Sequence, residues 1–234
     1  VTAILKRDLK GYFTSPLGFV FVAAYIIVMN ATFYITSIMN ASNGLTTVFN
    51  VMLYSLAIIV PILTMRTFSE DYKQKTDQLL LTSPVSPTGI VLGKFFAAFL
   101  VFVFGLILTI IYVIICQAFG KVNMASVIGN YIAILGVAAV YISIGVFISS
   151  LTENQLISAI ATLAVFALLL ILDLCYNLVN TTWIKSVLYW LSIYRRYNTF
   201  IMGVFSLADF VYYISVTAVF LFLTVRMLEK KRWS

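Results

Sequence analysis

The sequence predicts an all-α integral membrane protein with six transmembrane helices, and three observations predict it. Charge is scarce: of 234 residues, 10% are Asp, Glu, Lys or Arg and 62% are hydrophobic, where a soluble domain carries about a quarter charged residues. The scarcity is also clustered. No charged residue occurs over 11–65, 95–120 or 122–152, and about 20 mostly apolar residues suffice for a helix to cross the hydrocarbon. A soluble helix keeps a polar face for water, and these runs have none. Length completes the case. Six spans take about 120 residues, which leaves loops and flanks but no room for a further domain of about 50 residues. Residues 1–234 are therefore read as a single transmembrane domain. The first apolar run is too long for a cleaved signal peptide and more spans follow it.

Residues 1–16 are expected to form an interfacial elbow helix. Ile4, Leu5, Leu9, Tyr12 and Phe13 alternate with Lys6, Arg7, Asp8 and Lys10, the pattern of a helix lying in the interface with its bases toward lipid phosphates. It serves as an anchor, or as an elbow that transmits motion into the first span. That span is placed at about 17–39 and ends in the polar turn Asn40-Ala-Ser-Asn-Gly44. The second runs from about 45 to 65, with a kink expected at Pro61. The third is placed at about 90–119, the fourth at 125–151 and the fifth at 156–176. The sixth begins near Asp209 and is expected to end at Arg226, with flanking charges that snorkel.

Between spans five and six, residues 177–208 are too polar for a simple span yet rich in aromatics. Short interfacial or partly re-entrant helices are expected there, because Trp and Tyr favour the headgroup level. Arg195 and Arg196 would cost about 2.5 to 3.5 kcal/mol each at a bilayer centre, so both are placed at the surface. There they grip lipid phosphates or attract an anionic substrate. Asp173, near the end of span five, is expected to partner Lys185 or a backbone donor.

Orientation follows from the bases. Lys6, Arg7, Lys10, Arg66, Lys73, Lys75, Lys94, Arg226, Lys230, Lys231 and Arg232 fall on one side, eleven in all. Lys121, Lys185, Arg195 and Arg196 fall on the other, four in all. The positive-inside rule puts the eleven, and with them both termini, in the cytoplasm.

The loop over 66–88 then lies in the cytoplasm. Phe68, Tyr72, Leu79 and Leu80 form an apolar stripe at helical spacing, with Glu70, Asp71, Lys73 and Asp77 on other faces. A helix is expected to run to Thr82-Ser83, because Pro84 disfavours helical geometry in the residue before it. Ser86-Pro87 reads as an N-cap followed by proline at the first helical position, launching span three. Three acids against three bases gain little from anionic lipid. A soluble partner is the better occupant of the exposed face.

Other chemistries fare poorly. Gly89-Ile-Val-Leu-Gly93-Lys94-Phe95 has three residues between its glycines instead of four, and Phe where a phosphate loop needs Ser or Thr. Ion-coupled carriers place ionisable groups inside their spans, and these spans are almost clean. Such a carrier or a channel working without an ATPase is the alternative reading. Catalysis would want a base near a nucleophile or a metal set, and the chain has no histidine and two isolated cysteines, Cys116 and Cys175, read as small hydrophobes. Asn30, Thr32, Tyr34, Tyr54, Tyr112 and Tyr141 suit lipid-like, peptide or drug-like cargo alike, or simply join helices.

Glu70-Asp71, then Lys75-Thr-Asp-Gln-Leu-Leu-Leu-Thr-Ser-Pro84, then Gly93-Lys94 resemble the loop of ABC-2 type transporter permeases, in particular the gliding-motility and related small bacterial members. That family's pattern is an acidic pair, then Gly-Thr-x-Glu-Leu-Leu-Leu-Thr-x-Pro, then Gly-Lys. Lys75 stands at its glycine and Gln78 at its glutamate. The segments LKRDLKGYFTSPLGFVF and GVFSLADFVYYISVTAVFLFLT resemble the family's elbow and last span, so the likeness covers most of the chain. The resemblance implies a bacterial cell-membrane permease subunit, an exporter, with no catalytic residues or cofactor of its own. Its implied partners are membrane lipids, a second permease subunit (identical or related) and separate ABC ATPase subunits that hold ATP and magnesium. No nucleic acid is expected. Contact with the ATPase is implied for Phe68, Glu70, Asp71, Tyr72, Thr76, Gln78, Leu79, Leu80 and Pro84.

Overall fold

The computed structural model describes residues 1–40, 45–76, 86–120, 122–178, 181–203 and 206–233, and every regular element among them is helical. Six segments are long and apolar enough to cross a membrane: Pro16–Ile38, Thr46–Lys73, Pro87–Phe119, Met124–Leu151, Gln155–Tyr176 and Leu207–Arg232. The protein is an all-α integral membrane protein of six spans.

Helix α1 (Thr2–Thr14) leads through Ser15 into α2 (Pro16–Phe33), whose first residue is a proline, suited to a position where no backbone donor is needed. A π-helical turn over Tyr34–Ile38 closes that span. Span two is α3 (Thr46–Thr64), which continues through Pro61, and the short α4 (Ser69–Lys73) follows it. Span three is divided at Thr109 into α5 (Pro87–Leu108) and α6 (Ile110–Phe119). The Thr109 hydroxyl donates to the Leu106 carbonyl at 2.6 Å and lies 3.0 Å from the Tyr131 hydroxyl. Such back-bonding offers the backbone an alternative to the helical ladder. Helices α7 (Met124–Leu151) and α8 (Gln155–Leu178) form spans four and five. Two short helices, α9 (Thr182–Leu191) and α10 (Ile193–Ile201), precede α11 (Leu207–Trp233).

The centre of the bundle is α7, which packs against α3, α5, α8, α10 and α11. Lipid tails are as apolar as leucine, so helices in a membrane associate through close packing over small residues. Gly136 faces the Tyr213 ring of α11, and Gly145 faces Thr64 of α3. By contrast α2 and α8 turn large apolar side chains outward, among them Phe19, Ile27, Ile160, Leu168 and Leu174. Those faces meet lipid or another subunit. Both cysteines are free, Cys116 buried and Cys175 half-buried.

The elbow is seated on protein: Ile4 and Tyr12 are buried, and α1 packs on α5 and α2. Three expectations need correction. The sixth helix does not stop at Arg226; it runs 27 residues to Trp233, because Arg226, Glu229 and the bases after them are good helix formers beyond the apolar stretch. Arg196 is not at the surface. It is buried and pairs at 2.8 Å with Asp209, likewise buried, under the rings of Tyr212 and Trp190. Among the described residues Asp173 pairs with Arg195 at 3.3 Å and accepts from the Ser192 hydroxyl at 2.8 Å, in place of the expected Lys185 or backbone donor. The price of a buried base is met by an acid brought from a neighbouring helix. The aromatic segment divides as well: α9 leaves Trp183 and Trp190 exposed, whereas α10 buries Tyr194, Tyr197 and Phe200 in the bundle.

The α3–α7 crossing predicts the effect of one methyl group. A Cβ at Gly145 would lie 2.2 Å from Thr64 Oγ1 and 2.7 Å from its Cβ, so Gly145→Ala should destabilise by about 1–3 kcal/mol through overpacking. At Gly129 nothing lies within 4 Å, and Gly129→Ala should be neutral or stabilising by about 0.5–1 kcal/mol. Thermal unfolding in detergent ranks the two; the reverse order contradicts the crossing.

Candidate functional site

One end of the bundle, where α1, α4 and the last turns of α11 meet, gathers the polar contacts of the segment after span two. Thr67 N–H donates to the Thr64 carbonyl at 3.1 Å, turning the chain out of α3. The first amides of α4 have no helical partner of their own. Phe68 N–H and Ser69 N–H instead donate to Ser149 Oγ, near the end of α7, at 3.0 and 3.2 Å. The Ser69 hydroxyl lies 2.9 Å from the same oxygen and donates to the Met65 carbonyl. Span four therefore supplies the cap that seats α4. On the other side the Lys231 ammonium of α11 sits 3.5 Å from the Tyr72 ring centroid.

Lys94 is the centre of this end. It lies near the start of α5 and is 3% exposed. A bare ammonium there would carry a large desolvation cost, and four groups offset it. The ammonium pairs with Asp71 of α4 and, at 3.3 Å, with Asp8 of α1; it donates to the Thr67 carbonyl and lies 5.0 Å from the Phe68 ring centroid. Arg7 closes the circle, 2.7 Å from Asp8 and 3.6 Å from Asp71. The remaining oxygen of Asp71 accepts from the Thr76 hydroxyl at 2.9 Å. Next to Lys94, Gly93 makes room for the elbow: a Cβ there would meet Ile4 Cγ2 at 3.0 Å. Tyr12 donates to the Leu63 carbonyl at 2.9 Å, and burial pushes its phenol well above the ordinary value of 10, so it stays a donor. An open polar cleft remains between α1 and the end of α3, lined by Gly11, Tyr12, Arg66 and the charged residues just named.

The residues singled out in the sequence are thus placed as follows. Phe68 and Tyr72 are buried and stacked on each other at 6.2 Å. Glu70 pairs with Arg66 one turn earlier and accepts from Gln74. Asp71 faces Lys94, and Thr76 bonds back to Asp71. Gln78, Leu79, Leu80 and Pro84 lie outside the described residues. The acids of α4 turn inward, and Lys73, Gln74 and Lys75 are the exposed residues of its end. Ser86 caps α5 by accepting from Gly89 N–H at 3.2 Å, with Pro87 at the first position, as the sequence predicts. Tyr112 donates to Asn30 Oδ1 at 2.6 Å, joining spans one and three, and Tyr54 stacks on Tyr194.

Of the helix expected to run to Thr82-Ser83, the described part ends at Lys73, and residues 77–83 lie outside the described residues. Lys75 is the reason for the end at Lys73: its φ of 57° is left-handed, a conformation that costs an L-residue about 1–2 kcal/mol. The family pattern has glycine at this position, where it carries no such cost. Asp8 and Ser149 are not singled out by the sequence, and Lys94 only as half of the Gly-Lys pair, with no partner assigned. Lys94 left a signal, a lone base beside a long uncharged run, which a membrane helix cannot tolerate unpaired. Ser149 left none. Lys75→Gly should raise thermal stability by about 1 kcal/mol and Lys75→Val should lower it. Equal midpoints for the two variants contradict the left-handed turn.

Residues 2–233 match the family model described as ABC-2 family transporter protein. No curated protein matches the chain. The match runs through all six spans and through both charged segments that meet at Lys94, so elbow, loop and last span fall within one family pattern. The chain belongs to the ABC-2 transporter family, as a membrane-embedded permease component whose family works with ABC ATPase subunits.

Proposed function

We propose that the chain is the permease subunit of an ATP-driven bacterial exporter, oriented with α1, α4 and the end of α11 in the cytoplasm. Two such subunits, identical or related, enclose the path between them in the cell membrane. Separate ATPase subunits, which hold ATP and magnesium, bind the segment 66–84 and push it when they close. Spans two and three then tilt and open the outer side.

One observation carries this reading. The described part of the segment between spans two and three, residues 66–76, is built as a seated element, capped by Ser149 and ion-paired to α1 and α5. Among the described bases, eleven lie in the segments that converge on this end, the distribution that the positive-inside rule associates with the cytoplasm. A solvated connector needs no such seat, whereas an element that receives force does. The ion-coupled alternative gains nothing from the bundle. The described acids fall into two groups, those near Lys94 and the surface turns, and Asp173 and Asp209 paired to arginines at the opposite end. Among the described residues no acid stands at the middle of a span.

Affinity purification of the chain from its own membrane should bring down an ABC ATPase subunit. Leu79→Asp with Leu80→Asp should release that subunit and abolish the stimulation of its ATP hydrolysis. If binding and stimulation are unchanged, the docking assignment is wrong. If purified chain moves cargo on an ion gradient without nucleotide, the ion-coupled reading replaces this one.

A further inference from the structure

The two marks of the family-like pattern, the acidic pair and the Gly-Lys pair, stand far apart in the sequence and meet in the structure, and a third partner, Asp8, comes from α1. We infer that Lys94 is a positioning residue whose ammonium fuses α1 and α4 into one mechanical unit on the start of span three. Its importance for force transmission rests on the proposed coupling; the unit itself does not.

The argument is one of competing attachments. Helix α4 is held by Lys94 at Asp71, by Ser149 at its first amides and by Lys231 of α11 at the Tyr72 ring. Helix α1 packs on α5 and is bonded to the end of α3 through Tyr12, and it meets α4 at the charge cluster: Asp8 and Asp71 both approach Lys94, and Arg7 spans the two carboxylates. Without the ammonium the two carboxylates face each other with only the half-exposed Arg7 between them. Like charges at close range repel, and repulsion is strong where water is partly excluded. Removal of Lys94 therefore loosens α1 against α4 while Ser149 still holds α4 to α7. Gly93 makes the arrangement specific, because it lets Ile4 approach closely enough for Asp8 to reach the ammonium.

Spin-label distances in the chain alone, in nanodiscs and with Cys116 and Cys175 replaced, test this. Labels at Lys10→Cys and Lys73→Cys report α1 against α4; labels at Lys73→Cys and Glu153→Cys report α4 against the α7–α8 turn. All three positions are exposed. Lys94→Met should widen the first distance distribution severalfold and leave the second unchanged. Arg7→Ala combined with Asp8→Asn, which removes both α1 members of the cluster but leaves the Lys94–Asp71 pair, should widen the first in the same sense and serves if Lys94→Met does not fold. A first distribution that stays narrow in the variants overturns the inference. So does equal widening of both, which marks general loosening instead of a lost link. No ATPase subunit enters the measurement, so its failure leaves the docking proposal standing, and failure to recover an ATPase leaves this result intact.

Discussion

A buried ammonium in the wall of an apolar bundle sets the conditions for the whole end of the molecule around it. Lys94 cannot retreat to water without moving the start of span three, so anionic and carbonyl groups must come to it. They come from α1, from α4 and from the turn between spans two and three. Each of those elements is short, and charge adds to packing in holding it. An isolated helix of five residues such as α4 has no stability of its own in water. What seats it is a charge that needs neutralising on one side and a serine that needs donors on the other. Packing then completes the arrangement, with Ile4 in the space left by Gly93 and Phe68 against the ammonium.

The same constraint operates at the opposite end with the signs exchanged between elements. There the bases lie on α10 and the acids on α8 and α11, and the aromatic rings of α9 and α11 cover the Arg196 guanidinium. The bundle is thus closed by charge at both ends and packed by small residues in between, with α7 as the shared neighbour. The two ends differ in exposure. The Arg196–Asp209 pair is sealed, which suits a structural cap. The Lys94 cluster borders an open cleft and the exposed side of α4, which suits an end that meets a partner. Buried ion pairs are weak evidence for stability but break expensively when one partner is lost, so both clusters favour a defined arrangement over a strong one.

Much of the architecture was legible in the residues. Charge-free runs marked the spans, because a membrane leaves no other use for them, and Ser86-Pro87 marked the start of span three through local cap chemistry that needs no tertiary context. The apolar spacing of α1 marked a helix, though not what it packs against. Long-range pairing was the part out of reach. Nothing near Asp71 announces that its partner is Lys94 and not a foreign surface, and nothing near Ser149 announces that it caps a helix from another span. Arg196 was misplaced for a related reason: the cost of burying a base was applied without the acid on α11 that offsets it. Lys75 shows the reverse case, where a departure from the family's glycine marked a left-handed residue whose geometry only the backbone reveals.

A double-mutant cycle between Lys94 and Asp71 measures the central interaction most directly. Lys94→Met, Asp71→Asn and the combined variant, unfolded in detergent, yield the coupling between the two side chains. If the ammonium and the carboxylate hold one another as described, the two losses overlap and the coupling lies in the range of about 0.5–3 kcal/mol expected for residues in contact. Losses that simply add, within about 0.3–0.5 kcal/mol, would show that Asp71 and Lys94 do not act together, and the cluster would lose its role as the organiser of this end.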